Sequence, residues 1–354
     1  MYWRVMARDE KWSPIEGIIG QVKVVNYETD ERFVRKRSQF TCFVEAQDEL
    51  EAEAVAMTVF EQITKAMILA SGISYHPQME WPSEVDPNET DATILIRRDS
   101  VAKTHRSYLV KPLREYTFPL FSIERVVRWL GVVQQLDDPW AARLIDLYCR
   151  GVRLRDISEG AGYIEFIKVV EFFINKKYRQ MFEKERAQEL TDASPKKLAF
   201  ENELRDTVRR HFPQAENSQV KEFVGETLTQ ANRKLLFSYS NRGLLEYLCR
   251  QSGFYDHILD KRKKGLETSI DDTYSYWPEE KRKQHAEELY REHEKFILTV
   301  SKDLFGVRAT VAAHLAKDRG VEEYDAADMG AFSICALLAL YLITRLVEGA
   351  IQLD

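Results

Sequence analysis

The segment from Gly306 to Lys317 (GVRATVAAHLAK) is a mostly apolar run of small residues that carries one arginine, Arg308, and one histidine, His314. Both side-chain types suit phosphodiester chemistry. A histidine titrates near neutrality and can move a proton. An arginine can hold a non-bridging phosphate oxygen and absorb the charge developing on it. Together they could help an RNA 2′-hydroxyl attack its adjacent phosphate without a metal. On one ideal helix the six-residue step turns about 600°, leaving the pair about 120° apart and about 9 Å along the axis. That is loose for a single site, and a two-fold partner bringing a second pair opposite would complete it. A purely structural reading stands beside the chemical one. His314 and Lys317 fall in the last turn before Arg319-Gly320, where cations complement the helix dipole and cap carbonyls, and Arg308 can pair with a neighbouring acid.

Basic and aromatic residues are interleaved further upstream. The run Lys261-Arg262-Lys263-Lys264 and the triplet Lys281-Arg282-Lys283 flank Tyr274, Tyr276 and Trp277. Such a mixture can grip single-stranded RNA by phosphate contacts and base stacking, with Lys317 as a further cation. It also describes a solvated helix end with an aromatic staple. Glu165, Lys168 and Glu171 share one polar stripe. Either the stripe is a solvated face with an intrahelical pair, or Glu171 supports the chemistry. His285 and His293, eight apart, read as two cations on a charged face rather than as metal ligands. Nucleotide-loop, zincin and nucleophile-elbow motifs are absent. Cys42, Cys149, Cys249 and Cys335 form no CxxC pair. They read as buried small hydrophobes in a reducing compartment, with no zinc site or disulfide framework. No metal and no cofactor is expected.

The elements that must carry these residues divide the chain in two. Its 354 residues suit two domains, and 44% hydrophobic with 31% charged residues is an ordinary globular balance. The net charge of −6 supplies no global attraction to nucleic acid, so any such contact needs a local basic patch. Trp3–Ala7, Gly20–Asn26, Gln39–Glu45 and Ala92–Arg97 read as strands, and Asp48–Ala70 as an amphipathic helix stopped at Gly72. Pro77–Asn88 reads as a connection. From Ser122 onward the pattern is helical: 123–135, 139–150, 163–189, 197–211, 218–237, 243–264, 278–302, 308–317 and 324–348. Breaks are expected at Asp137-Asp138-Pro139, Asp192-Ala193-Ser194-Pro195, Phe212-Pro213 and Tyr276-Trp277-Pro278. The expected fold class is α+β, a mixed α/β module over 1–118 followed by an all-α bundle over 119–354. Met1-Tyr2-Trp3-Arg4 begins no apolar signal region. Ala331–Val347 is barely long enough to span hydrocarbon and reads as a core or interface helix. Its helix is apolar on nearly every side, through Phe332, Ile334, Leu337, Leu338, Leu340, Tyr341, Leu342 and Ile343, so a two-fold partner is expected to cover what the chain does not.

Arg308-x5-His314, placed between two C-terminal helices and before a final apolar one, resembles the arginine–histidine signature of the HEPN superfamily. Tyr148–Phe173 (YCRGVRLRDISEGAGYIEFIKVVEFF) and the strand-then-helix of residues 39–70 resemble the HEPN group often found with an N-terminal α/β module. The resemblance implies a cytoplasmic, dimeric, metal-independent RNA endonuclease of antiviral or stress defence, or a toxin. His314 would transfer protons and Arg308 would hold the phosphate, while the N-terminal module would regulate or recruit through a protein partner, with no membrane involved. The family usually has a polar residue after the arginine and often glycine after the histidine, whereas Ala309 and Leu315 stand here. A catalytically silent HEPN-like module that binds a protein or RNA partner therefore remains the alternative.

Overall fold

The computed structural model describes residues 1–10, 16–29, 35–97, 123–236, 241–316 and 326–353. An N-terminal sheet with one helix on it is followed by helices to the end of the chain. The strands are β1 (Tyr2–Asp9), β2 (Gly17–Ile19), β3 (Val22–Thr29), β4 (Arg35–Glu45), β5 (Gln78–Met79), β6 (Ser83–Val85) and β7 (Leu95–Ile96). Their order is β2-β3-β4-β1-β5, with β6 also on β1; the pairings are antiparallel except that β7 runs parallel to β4. Val5, Ala7, Val22, Val24, Phe40, Cys42 and Val44 alternate onto one face and are buried there. Helix α1 (Glu49–Ser71) covers that face, with Phe60 edge-on to Phe40 at 6.3 Å between ring centroids.

Local chemistry fixes both ends of α1. The Asp48 carboxylate accepts from the Glu51 N–H at 2.9 Å, and Gly72, at φ 70°, donates its own N–H to the Ile68 carbonyl. Helices α2 (Ile123–Gln135) and α3 (Pro139–Arg155) pack on α1, where Lys65 bridges to Asp146 at 2.8 Å. The chain accordingly forms two compact units, Met1–Glu165 and Phe166–Asp354. They divide within α4 (Glu159–Phe173), so α2 and α3 belong with the sheet. The boundary placed at 118–119 from the sequence lies outside the described residues.

In the second unit a π-helical turn, Ile174–Tyr178, leads from α4 into α5 (Arg179–His211). Then follow α6 (Asn217–Leu236), α7 (Asn241–Gln251), α8 (Phe254–Thr273), α9 (Glu279–Val300), α10 (Leu304–Ala316) and α11 (Ala326–Val347). Two expected boundaries move. No break occurs at 192–195, because α5 runs through Pro195; the ladder loses one bond there and resumes in the good helix formers that follow, Lys196-Lys197-Leu198-Ala199. The single helix expected over 243–264 is instead broken at Gly253, which takes φ 77° while the Tyr341 hydroxyl donates to the Ser252 carbonyl at 2.8 Å. Strands β5 and β6, read from sequence as loop, exist because β1 offers them a free edge.

Helix α11 is covered further than its composition suggested. Phe332, Ile334, Leu338, Leu342 and Ile343 are buried within the chain, leaving a line through Met329, Ser333 and Leu337 (48% exposed). Both α1 and Asp328–Val347 are long and apolar enough to cross a membrane, and 56% of each apolar window is buried inside the chain.

Glycine packing in the first unit gives a direct test. A Cβ on Gly162 of α4 would lie 2.7 Å from the Gly151 carbonyl oxygen and 2.9 Å from Arg155 Cβ on α3, whereas one on Gly131 of α2 meets nothing within 4 Å. Gly162→Ala should therefore destabilise by roughly 1–3 kcal/mol. Gly131→Ala should stabilise by up to about 1 kcal/mol, since only helix propensity changes. Urea unfolding of the two variants reads both values, and equal effects would contradict this packing.

Candidate functional site

Arg308 sits on α10 in line with Leu304 and Val311, both fully buried. Positions i, i+4 and i+7 share one helix face, so the packed face of α10 directs the Arg308 stem toward α4. There its guanidinium donates to the carboxylate of Glu171. The arginine side chain is 44% exposed and the glutamate 24%. At such exposure an ion pair contributes about 0–1 kcal/mol, so its main effect is to aim the guanidinium. Glu171 also lies close to α11: burial above all, then Cys249 and Glu171, push the Cys335 thiol well above its ordinary range. Burial likewise raises Cys42, Cys149 and Cys249 to about 12, so all four cysteines are buried, protonated thiols.

The start of α10 is fixed by Asp303. Its carbonyl accepts from the Gly306 N–H at 2.8 Å and the Val307 N–H at 3.1 Å. Its carboxylate accepts from Nε and Nη2 of Arg242 on α7, at 3.0 and 2.8 Å. Gly306 leaves room for that carboxylate, which would lie 2.7 Å from a Cβ at 306. Beside this strut, α7 and α9 border a cleft of about 460 Å³ lined by Arg242, Arg291, Glu294, Lys295, Lys302 and Asp303. Three of its cations are paired, Arg242 with Asp303, Arg291 with Glu287 and Lys302 with Glu246.

His314 lies on the same helix as Arg308, and its side chain falls outside the described residues, as does all of Lys317. The structure thus brings Arg308 to Glu171, an acid whose pairing no local sequence signal predicts across 137 residues. It does not bring the upstream basic residues to them as free cations. Helices α8 and α9 form a two-helix arm, and most of those side chains are engaged within it. Arg282 pairs with Asp271 at 2.9 Å and donates through Nη1 to the carbonyls of Ser275 and Trp277. Lys264 pairs with Asp260, Lys281 lies 4.1 Å from the centroid of Trp277, and Lys263 lies 6.0 Å from that of Tyr290. Arg262 donates to His293 Nδ1 at 2.6 Å, and Lys261 is exposed on α8. Burial and then that guanidinium hold His293 below the usual imidazole value, making it a neutral acceptor rather than the cation expected from sequence. The Tyr274 and Trp277 rings stack at 4.5 Å, leaving Tyr276, 76% exposed, at the arm's tip. Glu165 pairs with Arg150 at 3.2 Å.

Among the described residues no three His, Cys, Asp or Glu side chains gather to hold a metal ion. No protein-family model, curated protein or solved structure matches the chain.

The Asp303 strut predicts coupled energetics. Gly306→Ala should displace the half-exposed Asp303 carboxylate from Arg242 and destabilise by at most about 1 kcal/mol. In an Arg242→Gln background the carboxylate can swing away, so the same substitution should cost clearly less. Urea denaturation of the double-mutant cycle measures the difference; strictly additive effects would contradict the strut.

Proposed function

We propose that this protein is a metal-independent RNA endonuclease of the HEPN kind, acting as a dimer through Arg308 and His314. What carries the reading is α10 itself: one helix bears both residues, its arginine is held in position by Glu171, and an apolar helix follows. In the proposed reaction the RNA 2′-oxygen attacks the adjacent phosphorus and the bond to the 5′-oxygen breaks. His314 of one or the other subunit takes the 2′-hydroxyl proton or supplies the proton the leaving oxygen needs. Arg308 turns from Glu171 to a non-bridging oxygen and stabilises the charge that grows there. The 2′-oxygen ends in a cyclic phosphate and the leaving strand in a hydroxyl, with no water consumed in this step.

Dimerisation supplies what one helix lacks. Arg308 and His314 stand about 120° apart on α10, so a second copy opposite brings an arginine to each histidine. The Met329–Ser333–Leu337 line of α11 is the surface proposed for that contact. An RNA target in the cytoplasm, in defence, stress response or as a toxin, fits this chemistry. A second reading, a silent HEPN-like module that binds a protein or RNA, is favoured by one observation: Glu171 already neutralises Arg308, and Ala309 beside it offers no polar group.

Two outcomes separate these readings. Purified protein should cut total RNA in excess EDTA, and Arg308→Ala or His314→Ala should each lower the rate by at least about 100-fold without lowering the melting temperature. Full activity in both variants would sink the catalytic assignment. Sedimentation at micromolar concentration should give twice the 41.4 kDa chain mass or a multiple of it, and Leu337→Glu should shift it toward 41.4 kDa. A monomeric, fully active wild type would contradict the dimer.

A further inference from the structure

The sheet of the first unit has a second face, and nothing in the nuclease reading uses it. Opposite α1, strands β3, β4 and β1 present Lys23, Thr41 and Met6 in one row, Val25, Gln39 and Arg8 in the next, then Tyr27 beside Arg37. Arg4 lies four residues before Arg8 on the same face of β1, about 13 Å away at strand spacing. These side chains are half-buried or exposed, unlike the fully buried residues that alternate with them. Over these rows the face is polar; next to Arg4 it carries a small apolar cluster, Phe43, Ile94 and Leu95, with Tyr2, Ile18 and Val85 packed against it.

Its chemistry is strongly biased in a chain of net charge −6. Four cations, Arg4, Arg8, Lys23 and Arg37, stand on it. The acids lie around the rim: Glu80 pairs with Arg8 at 2.6 Å, Glu10 reaches Arg37 at 3.4 Å, Asp91 feels the charge of Lys23, and Glu45 closes the far end. Arg4 has no ion pair among the described residues. Near the end of β3, in the row with Arg37, is a half-buried aromatic ring, Tyr27, with the Arg8 guanidinium 6.0 Å from its centroid. Tyr27 Oη and Arg37 Nε, at that end of the platform, are buried without a hydrogen-bond partner among the described residues, so a side-chain shift that opened them would let a ligand satisfy both. Gln39 and Thr41 add neutral donors and acceptors beside the ring. Trp81, 77% exposed between β5 and β6, stands at the sheet edge.

The geometry points to a binding platform for a single-stranded polynucleotide on this sheet face, with Arg4, Arg8, Lys23 and Arg37 meeting phosphates and Tyr27 stacking a base. Cations spread over three adjacent strands suit an extended anionic chain better than a small anion, which would need them converging on one point. A half-buried aromatic on an open sheet can stack one base on its free face, and cations along the sheet track the phosphates on either side. Base-edge recognition by Gln39 and Thr41 would add selectivity to a mainly electrostatic grip. The platform stands on residues of the first unit alone and is independent of any chemistry at Arg308.

The test uses the full chain carrying Arg308→Ala, so that the probe is not cut and binding is read apart from cleavage. Fluorescence anisotropy follows a labelled single-stranded RNA of about 12 nucleotides, and the DNA of the same sequence, across a salt series. The RNA should bind, with or without the DNA. Arg4→Gln and Lys23→Gln, at exposed positions, should each weaken binding and each flatten the log–log salt slope by about 0.7. Tyr27→Leu, with folding checked by circular dichroism, should weaken it about fivefold or more at unchanged slope. Arg143→Gln, at an exposed position of α3, should change neither. No RNA binding, binding of the DNA alone, or the same affinity and slope in both exposed-cation variants as in Arg143→Gln would overturn the platform. Each of these results leaves the cleavage question to be decided separately.

Discussion

The position of α10 is the constraint on which the chemistry proposed for the second unit rests. Leu304 and Val311 are buried to zero exposure, and Asp303 is clasped by Arg242 at the helix start. With its axis and rotation thereby set, Arg308 meets Glu171 of α4 without any further device. Buried apolar side chains determine where the helix lies, because each is worth about 1.5–3 kcal/mol. The half-exposed ion pair is worth less and decides only which way a guanidinium faces. This ordering suits a group that, in the proposed reaction, leaves its partner for a phosphate. A deeply buried pair would aim the arginine equally well but resist release.

Much of this was legible in the sequence wherever a residue's local chemistry and its tertiary role coincide. The Asp48 cap, the Gly72 stop and the Asp138-Pro139 helix start act through their immediate neighbours, and α1 and α3 begin where those residues demand. The reading failed where the deciding contact lies far along the chain. Gln78-Met79 and Ser83-Val85 have little strand character and are strands because β1 has an edge to pair. Gly253 interrupts a helical pattern because Tyr341, 88 residues later, meets the chain there. Asp192 to Pro195 looked like a stop, yet α5 continues through it into the helix formers that follow.

The candidate site divides in the same way. That Arg308 and His314 share one helix follows from spacing alone. That the arginine answers to Glu171 does not, and neither does the engagement of Lys264, Arg282 and Lys281 within their own arm. Charge runs overstate available cations because i,i+4 acids take some of them. The converse holds on the sheet. Arg4, Arg8, Lys23 and Arg37 are scattered in sequence and form no run, yet strand register gathers them on one face. A basic surface in an acidic chain is thus visible only after the strands are paired.

The central claim is that a strand's own 2′-hydroxyl is the nucleophile at α10, and chemical substitution of the substrate reads this most directly. A short RNA cut at one mapped position would be compared with the same strand carrying a single 2′-deoxynucleotide just 5′ of the scissile phosphate. The account predicts that the all-RNA strand yields a 2′,3′-cyclic phosphate and a 5′-hydroxyl, and that the deoxy substitution stops cleavage at that bond alone. Cleavage that persists at the deoxy position, or products with a 5′-phosphate, would contradict it.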